Sequence, residues 1–162
     1  MNSIIIGLGS NLGDRLAHLH AATAALLATP LVHESKRSPV YETPPWGAAG
    51  SPAFLNACLL IKTPLPLDAV LGMCLGIESA LGRRRDTQNQ FAPRIIDLDV
   101  LFAGDALSQA PHLYVPHPRL HLRAFALKPA IDVWPHPQLL DWWRLAAVQA
   151  DAQQLVLTRH VL

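Results

Sequence analysis

The segment RIIDLDVLF, residues 94–102, decides how the rest of the chain is read, because two aspartates interrupt an otherwise apolar strand. Side chains alternate across a β-strand, so the segment sorts into two faces before its partners are known. Ile96, Leu98, Val100 and Phe102 share a wholly apolar face, which is expected to cover helices, whereas Ile95, Asp97, Asp99 and Leu101 lie opposite. The stretch Phe54 to Lys62 sorts the same way, with Leu55, Ala57, Leu59 and Ile61 on one face and Phe54, Asn56, Cys58 and Leu60 on the other. Both charges, one aromatic ring and one amide therefore point away from the helices.

Outward from that segment, hydrophobic periodicity gives the remaining elements. Ser3 to Leu8 is rich in β-branched residues and runs into GLGSNLGD, a strand followed by a loop, with Asp14 suited to a helix first turn. Leu19, Thr23, Leu26 and Leu27 recur at helical spacing, placing His18 and His20 at the surface and ending the helix before Pro30. Leu31 to Tyr41 reads as a second strand, and ETPPWGAAGSP, residues 42–52, as a long semi-rigid loop. After the strand Phe54–Lys62, the spacing predicts a helix over Leu67 to Leu81, with Val70, Cys74, Ile77 and Leu81 buried and Gly82 as its C-terminal cap. RRRDTQNQFAP is a basic loop leading into the opening strand; beyond that strand, a helix over Gln138 to Val148 and an apolar run QQLVLTRHVL are expected.

The order β-α-β-β-α-β is that of an α+β fold of the split βαβ, or ferredoxin-like, type. An antiparallel sheet would carry both helices on one face and the active site on the other, with C-terminal additions. The 162 residues suit a single domain, 1–162. With 13 basic and 12 acidic residues, no global field calls for nucleic acid or an anionic membrane. Cys58 and Cys74 lie in apolar runs without CxxC spacing, as buried thiols in a reducing compartment do. No leader or membrane-spanning run is visible, so a cytoplasmic protein acting on small molecules is expected, its oligomeric state open and compatible with a monomer.

Carboxylates at i and i+2 on one face have Cα atoms roughly 6.6 Å apart and repel each other without a cation nearby. Two readings answer that need: ion pairs with Arg83, Arg84, Arg85 or Arg94, or a hard divalent ion such as Mg²⁺, commonly held by one or two carboxylates plus substrate phosphates. Arginine forks match phosphate oxygens, and carboxylates with metal beside arginines are what phosphoryl transfer requires. Other motifs are decoys. GLGSNLG has the wrong spacing for a dinucleotide fingerprint, no GxxxxGK[ST] occurs, and His117 and His121 lack the glutamate of HExxH. No aromatic cluster of the RNA-binding type appears in the central strands.

With these pieces in place, the chain resembles the 6-hydroxymethyl-7,8-dihydropterin pyrophosphokinase family of folate biosynthesis. The resemblance runs from Ile4 to about Val133 through GLGSNLGDR, SPVYETPPWG, FLNA, IESALGRRR, FAPRIIDLDVLF and VPHPRLHLRAFALKP, all in family order. It implies transfer of pyrophosphate from ATP to the pterin hydroxymethyl group, releasing AMP. By resemblance, Asp97 and Asp99 hold two Mg²⁺ ions, and Arg83 and Arg94 act with them as catalytic residues. Thr43, Pro44, Trp46, Phe54, Asn56 and Phe125 match the pterin site, in which the two phenylalanines sandwich the ring and Asn56 reads its polar edge. Glu78, Arg85, Phe91, Ile96, His117 and Arg123 match ATP contacts. Phe91 stands where tryptophan is usual, Gln90 replaces an arginine and Leu75 a frequent glutamine. A DxD-type nucleotide-sugar transferase and a non-catalytic ligand-binding module are the competing readings; metal dependence and the nucleotide product separate the three.

Overall fold

The computed structural model describes residues 1–44, 50–83, 93–152 and 154–162. The chain runs β1 (Asn2–Ser10), α1 (Arg15–Ala28), β2 (His33–Arg37), β3 (Pro39–Thr43), β4 (Phe54–Thr63), α2 (Leu67–Ala80) and β5 (Asp97–Phe102). There follow a small hairpin, β6 (Ser108–Ala110) and β7 (Leu113–Val115), a 3₁₀ turn at Leu120–Leu122, α3 (Ala124–Val133), α4 (Pro137–Ala152) and β8 (Val156–Val161). The main sheet has the order β5-β1-β4-β3-β8, with β2 also on β4, and every pair is antiparallel. Counting β2 and β3 as one interrupted strand recovers the β-α-β-β-α-β order.

That interruption has a local cause. Pro39 cannot donate to the ladder. Ser38 bridges the gap: its amide bonds Cys58 O at 2.9 Å, and its hydroxyl accepts Cys58 N–H at 2.8 Å while donating to Pro39 O. The opening strand likewise starts at Asp97 instead of Arg94, because Arg94 spends its backbone groups on Asn11. Asn11 N–H donates to Arg94 O at 3.1 Å, and Arg94 N–H to Asn11 Oδ1 at 2.6 Å.

The faces of β4 are as the alternation predicts. Leu55, Ala57, Leu59 and Ile61 pack with Ile4, Ile6, Leu8, Leu98 and Val100 against Leu19, Ala22 and Leu26 of α1 and Val70 and Cys74 of α2. Cys58 and Leu60 face the other way with Ile5. On β5 the alternation fails at its end. Ile6 pairs with Val100 but Ile5 pairs with Phe102, so Leu101 is a bulged extra residue. A bulge shifts the alternation by one, and Phe102 joins Leu101 on the second face instead of sharing Leu98's side.

That second face is divided. Its central part is covered by Leu120, by Leu127, Ala130 and Val133 of α3, and by Leu139 and Ala146 of α4, so helices lie on both sides of the sheet. RAFALKP carried no helix expectation, yet α3 runs through Pro129, whose ring is buried. The predicted helix at 138–148 extends over Pro137–Ala152, and the last apolar run is an edge strand whose Val156, Leu157 and Val161 are exposed. His20 is exposed as expected; His18 is half-buried, its ring against Gly13. Both cysteines are buried free thiols, and burial pushes Cys58 up and Cys74 up to about 12. Among the described residues no helix is long and apolar enough to cross a membrane.

Candidate active site

The end of the second face that none of the described helices covers lies where β1 and β4 meet the start of β5. Gly9 sits between Asn56 on β4 and Asp97 on β5 as their ladder partner. A Cβ there would lie 3.3 Å from Asn56 Oδ1, 3.8 Å from Phe54 Cδ1 and 3.9 Å from Asp97 Cβ. The absence of that side chain keeps a hollow between the aromatic, the amide and the carboxylate. Asn56 is buried and donates through Nδ2 to Thr43 Oγ1 at 2.9 Å, which fixes its amide orientation and joins β3 to β4. Pro44, next along β3, is exposed.

Asp97 holds two arginines at once. Its Oδ1 meets Arg83 Nη1 at 2.6 Å, and its Oδ2 meets Arg94 Nη1 at the same distance. Arg83 is aimed by the end of α2. Gly82 adopts φ +90°, a left-handed conformation that glycine takes without strain. Gly82 N–H bonds Ser79 O at 3.1 Å and Arg83 N–H bonds Glu78 O at 2.9 Å, the paired closing bonds of a Schellman motif. The chain therefore turns back across the helix end, and Arg83 also ion-pairs with Glu78. Glu78 is 2% exposed and accepts Leu98 N–H at 2.7 Å, so it ties α2 to β5 from inside. Burial holds its carboxyl above the usual range, opposed by the Leu98 bond and Arg83.

Asp99 lies on the same face two residues on, 3.8 Å from Arg123 Nη1, with 41% of its side chain open. Crowding by the surrounding protein, then the Asp97 charge, pushes its carboxyl up to about 7. Arg123 stands at the foot of α3, its guanidinium carbon 5.8 Å from the Phe125 ring centroid. His117 is half-buried; desolvation, then Arg123 and Arg119, bring its pKa down to about 4. Its Nδ1 faces Arg119 N–H at 3.2 Å, which leaves the ring proton on Nε2 as a donor.

Asp97 and Asp99 thus supply hard oxygen donors whose repulsion a divalent cation would relieve, and their chemistry fits Mg²⁺. Among the described residues no group of three or more His, Cys, Asp or Glu could hold a metal; a carboxylate pair of this kind is commonly completed by waters and ligand phosphate oxygens. The arginine pairing weighed for the aspartates is also present, and it falls on Asp97.

Of the expected residues, Arg83, Arg94, Asp97, Asp99, Arg123, Phe54, Asn56 and Thr43 converge at this end of the sheet. Glu78 lies beneath it, and Ile96 turns into the core between sheet and helices, so only its backbone is available to a ligand. Trp46, Arg85 and Phe91 lie outside the described residues. Asn11 was missed. It is 1% exposed, binds both backbone groups of Arg94, and donates to Pro52 O at 3.3 Å, anchoring the segments that enter β4 and β5. An asparagine directly after a buried strand, in GSN, is the signal that marks it.

The family model described as 7,8-dihydro-6-hydroxymethylpterin-pyrophosphokinase (HPPK) matches residues 5–135. A protein of Methylorubrum extorquens named 2-amino-4-hydroxy-6-hydroxymethyldihydropteridine pyrophosphokinase is 42% identical over 135 residues, 83% of this chain and 84% of that one. A Bacillus subtilis protein of the same name is 40% identical over 134 residues, covering 82% and 79%. The crystal structure of Plasmodium falciparum HPPK-DHPS wild type with SDX-DHP is similar with a TM-score of 0.66 at 14% identity, over 95% of this chain and 45% of that longer one, a likeness of fold alone. With a family model over most of its length and relatives at this identity, the chain belongs to the 7,8-dihydro-6-hydroxymethylpterin-pyrophosphokinase family.

Proposed function

We propose that this protein transfers pyrophosphate from ATP to the hydroxymethyl group of 6-hydroxymethyl-7,8-dihydropterin in folate biosynthesis, residues 1–162 acting as one cytoplasmic domain on small-molecule substrates, with neither nucleic acid nor membrane as a partner. The hydroxymethyl oxygen bonds to the β-phosphorus, the bond from that phosphorus to the α,β-bridging oxygen breaks, and AMP leaves. The observation that carries this reading is the meeting, around Gly9, of a carboxylate pair with arginines on one side and a buried amide beside an aromatic ring on the other.

Phe54 and Phe125 flank the flat ring, and Asn56, its orientation held by Thr43, reads the polar edge with help from the chain at Pro44 and Trp46. Arg83 and Arg94 leave Asp97 for the phosphates, with Arg123 behind them and Arg85 and Phe91 from the preceding loop. Neutral His117 offers Nε2–H to the nucleotide, and the backbone at Ile96 lies alongside. Asp97 and Asp99 hold two Mg²⁺ ions, which when bound neutralise charge on the phosphates. Given ATP, Mg²⁺ and the reduced hydroxymethylpterin, the protein is expected to yield AMP. ADP, or no turnover, would overturn the assignment.

A further inference from the structure

Along α3 from Phe125 lies a second polar cluster, which the phosphoryl chemistry does not use. Tyr41 is 6% exposed and donates its hydroxyl to Asp132 Oδ2 at 2.6 Å. Lys128, one turn before Asp132, ion-pairs with Asp132 Oδ1, and its ammonium lies 5.7 Å from the centre of the Tyr41 ring. Burial, then the bond to Asp132, raises the Tyr41 pKa, so its hydroxyl stays a donor at neutral pH. Lys128 is also raised: desolvation, the largest single effect, lowers it, but the bond to Asp132, the Asp132 charge and Tyr41 together outweigh that.

The placement of these groups gives the cluster its meaning. At about 100° per residue, Phe125, Lys128 and Asp132 fall within roughly 60° of one another around α3. On the sheet, Tyr41 is the ladder partner of Asn56 and Thr43 the partner of Phe54. Tyr41 and Thr43, two residues apart, share a face. The Tyr41–Asp132 bond is therefore a strut between the rung that carries Asn56 and the helix that carries Phe125. α3 also meets the sheet through apolar packing, Leu127 and Ala130 near Cys58 and Leu60, and through a weak bond from Cys58 Sγ to Ala126 O at 3.7 Å. Such contacts set no sharp distance, whereas a hydrogen bond to a carboxylate does.

We infer that Tyr41 and Asp132 are positioning residues for the pterin: they set the spacing of α3 from the β3–β4 ladder, and so the width of the slot between Phe125 and Phe54. The inference rests on the reading that those two rings flank the heterocycle. Lys128 holds the Asp132 carboxylate in the geometry that Tyr41 needs. On the ATP side, the two aspartates with Arg83 and Arg94 are carried by β5, the residues before it and the end of α2, and do not depend on the strut; Arg123 stands at the opposite end of α3 from Asp132.

The test is steady-state AMP formation with pterin and ATP varied separately, alongside thermal unfolding, for Tyr41→Phe, Asp132→Ala, Asp132→Asn, Phe54→Ala and Phe125→Ala. Losing a hydrogen bond to a charged group corresponds to roughly 10- to 150-fold, so Tyr41→Phe and Asp132→Ala should raise KM for pterin by about tenfold or more. KM for ATP and kcat should change less than about twofold, and Asp132→Asn, which keeps an acceptor for the hydroxyl, should recover most of the loss. Should Asp132→Ala not fold, Tyr41→Phe, which removes one oxygen, decides alone. Pterin KM unchanged in folded Tyr41→Phe while Phe125→Ala raises it would overturn the strut and leave the sandwich standing. Pterin KM unchanged in Phe54→Ala and Phe125→Ala would overturn the sandwich, and the strut with it.

Discussion

Replacing Glu78 separates a brace from a ligand contact. Its Oε1 accepts Leu98 N–H at 2.7 Å and also meets Arg83, all inside a site where Glu78 is 2% exposed. Glu78→Ala orphans the Leu98 amide, about 1–3 kcal/mol, and removes a charged hydrogen bond from Arg83, about 1.5–3 kcal/mol. Arg83 keeps Asp97 at 2.6 Å, so no cation is stranded. The sum is about 2.5–6 kcal/mol, or a fall in Tm of roughly 5–24 °C for a chain of this size. Glu78→Gln keeps an acceptor for both donors. Because burial already disfavours the ionised carboxyl, that variant should lie within about 1 kcal/mol of the parent. The sign of the pH effect follows from the raised folded-state pKa: the carboxyl's contribution is fully present below the unfolded value and lost as pH rises through the folded one, so the parent gains on the Gln variant in acid. Urea and thermal unfolding followed by tryptophan fluorescence measure this, with AMP formation run in parallel. A Glu78→Ala protein with unchanged Tm and a raised KM for ATP would show a nucleotide contact instead of a brace. A Gln variant as damaged as the Ala variant would show that the charge, not the acceptor, matters.

Two further outcomes follow from the same cleft. Asp97→Ala and Asp99→Ala should each abolish AMP formation while circular dichroism stays that of the parent. Asp97→Ala should be the less stable, since it alone strips Arg83 and Arg94 of a shared partner; near-normal kcat in either would remove the metal assignment. His117 should make the fold weaker in mild acid, because the unfolded chain takes up that proton near pH 6.5 and the folded one near 4. Unfolding midpoints at pH 7.5 and 5 should differ less in His117→Asn than in the parent, and an equal difference would refute the assignment.

The parts of this molecule legible in the sequence are those governed by alternation and helical spacing over uninterrupted stretches. β4 sorts as expected because its ladder to β1 runs from Leu55 to Thr63 without a register shift. Phe102 does not, because a bulge depends on how two strands fit and leaves no mark in the pattern. The join of β2 and β3 hinges on how Ser38 serves Cys58, a contact twenty residues away in sequence. Glu78 falls at i+8 from Val70 and i+4 from Cys74, the buried stripe of α2, yet a carboxylate at a core spacing reads as exposed until its partners are known. The covering of the second face by α3 was hidden by Pro129, which argues against a helix locally and is outweighed by burial of Leu127, Ala130 and Val133.

The extra residue at Leu101 makes β5 two spliced pieces with different obligations. Upstream of it, the ladder to Gly7 and Gly9 locks Asp99 and Asp97 toward the cleft, and inserting or deleting one residue there would swing both carboxylates into the packing of α1 and α2. Downstream, Leu101 and Phe102 answer to α3 and α4, and a change of length past Phe102 falls into the turn before β6. The strand can therefore vary its far end with the C-terminal helices while its near end keeps the carboxylates in register.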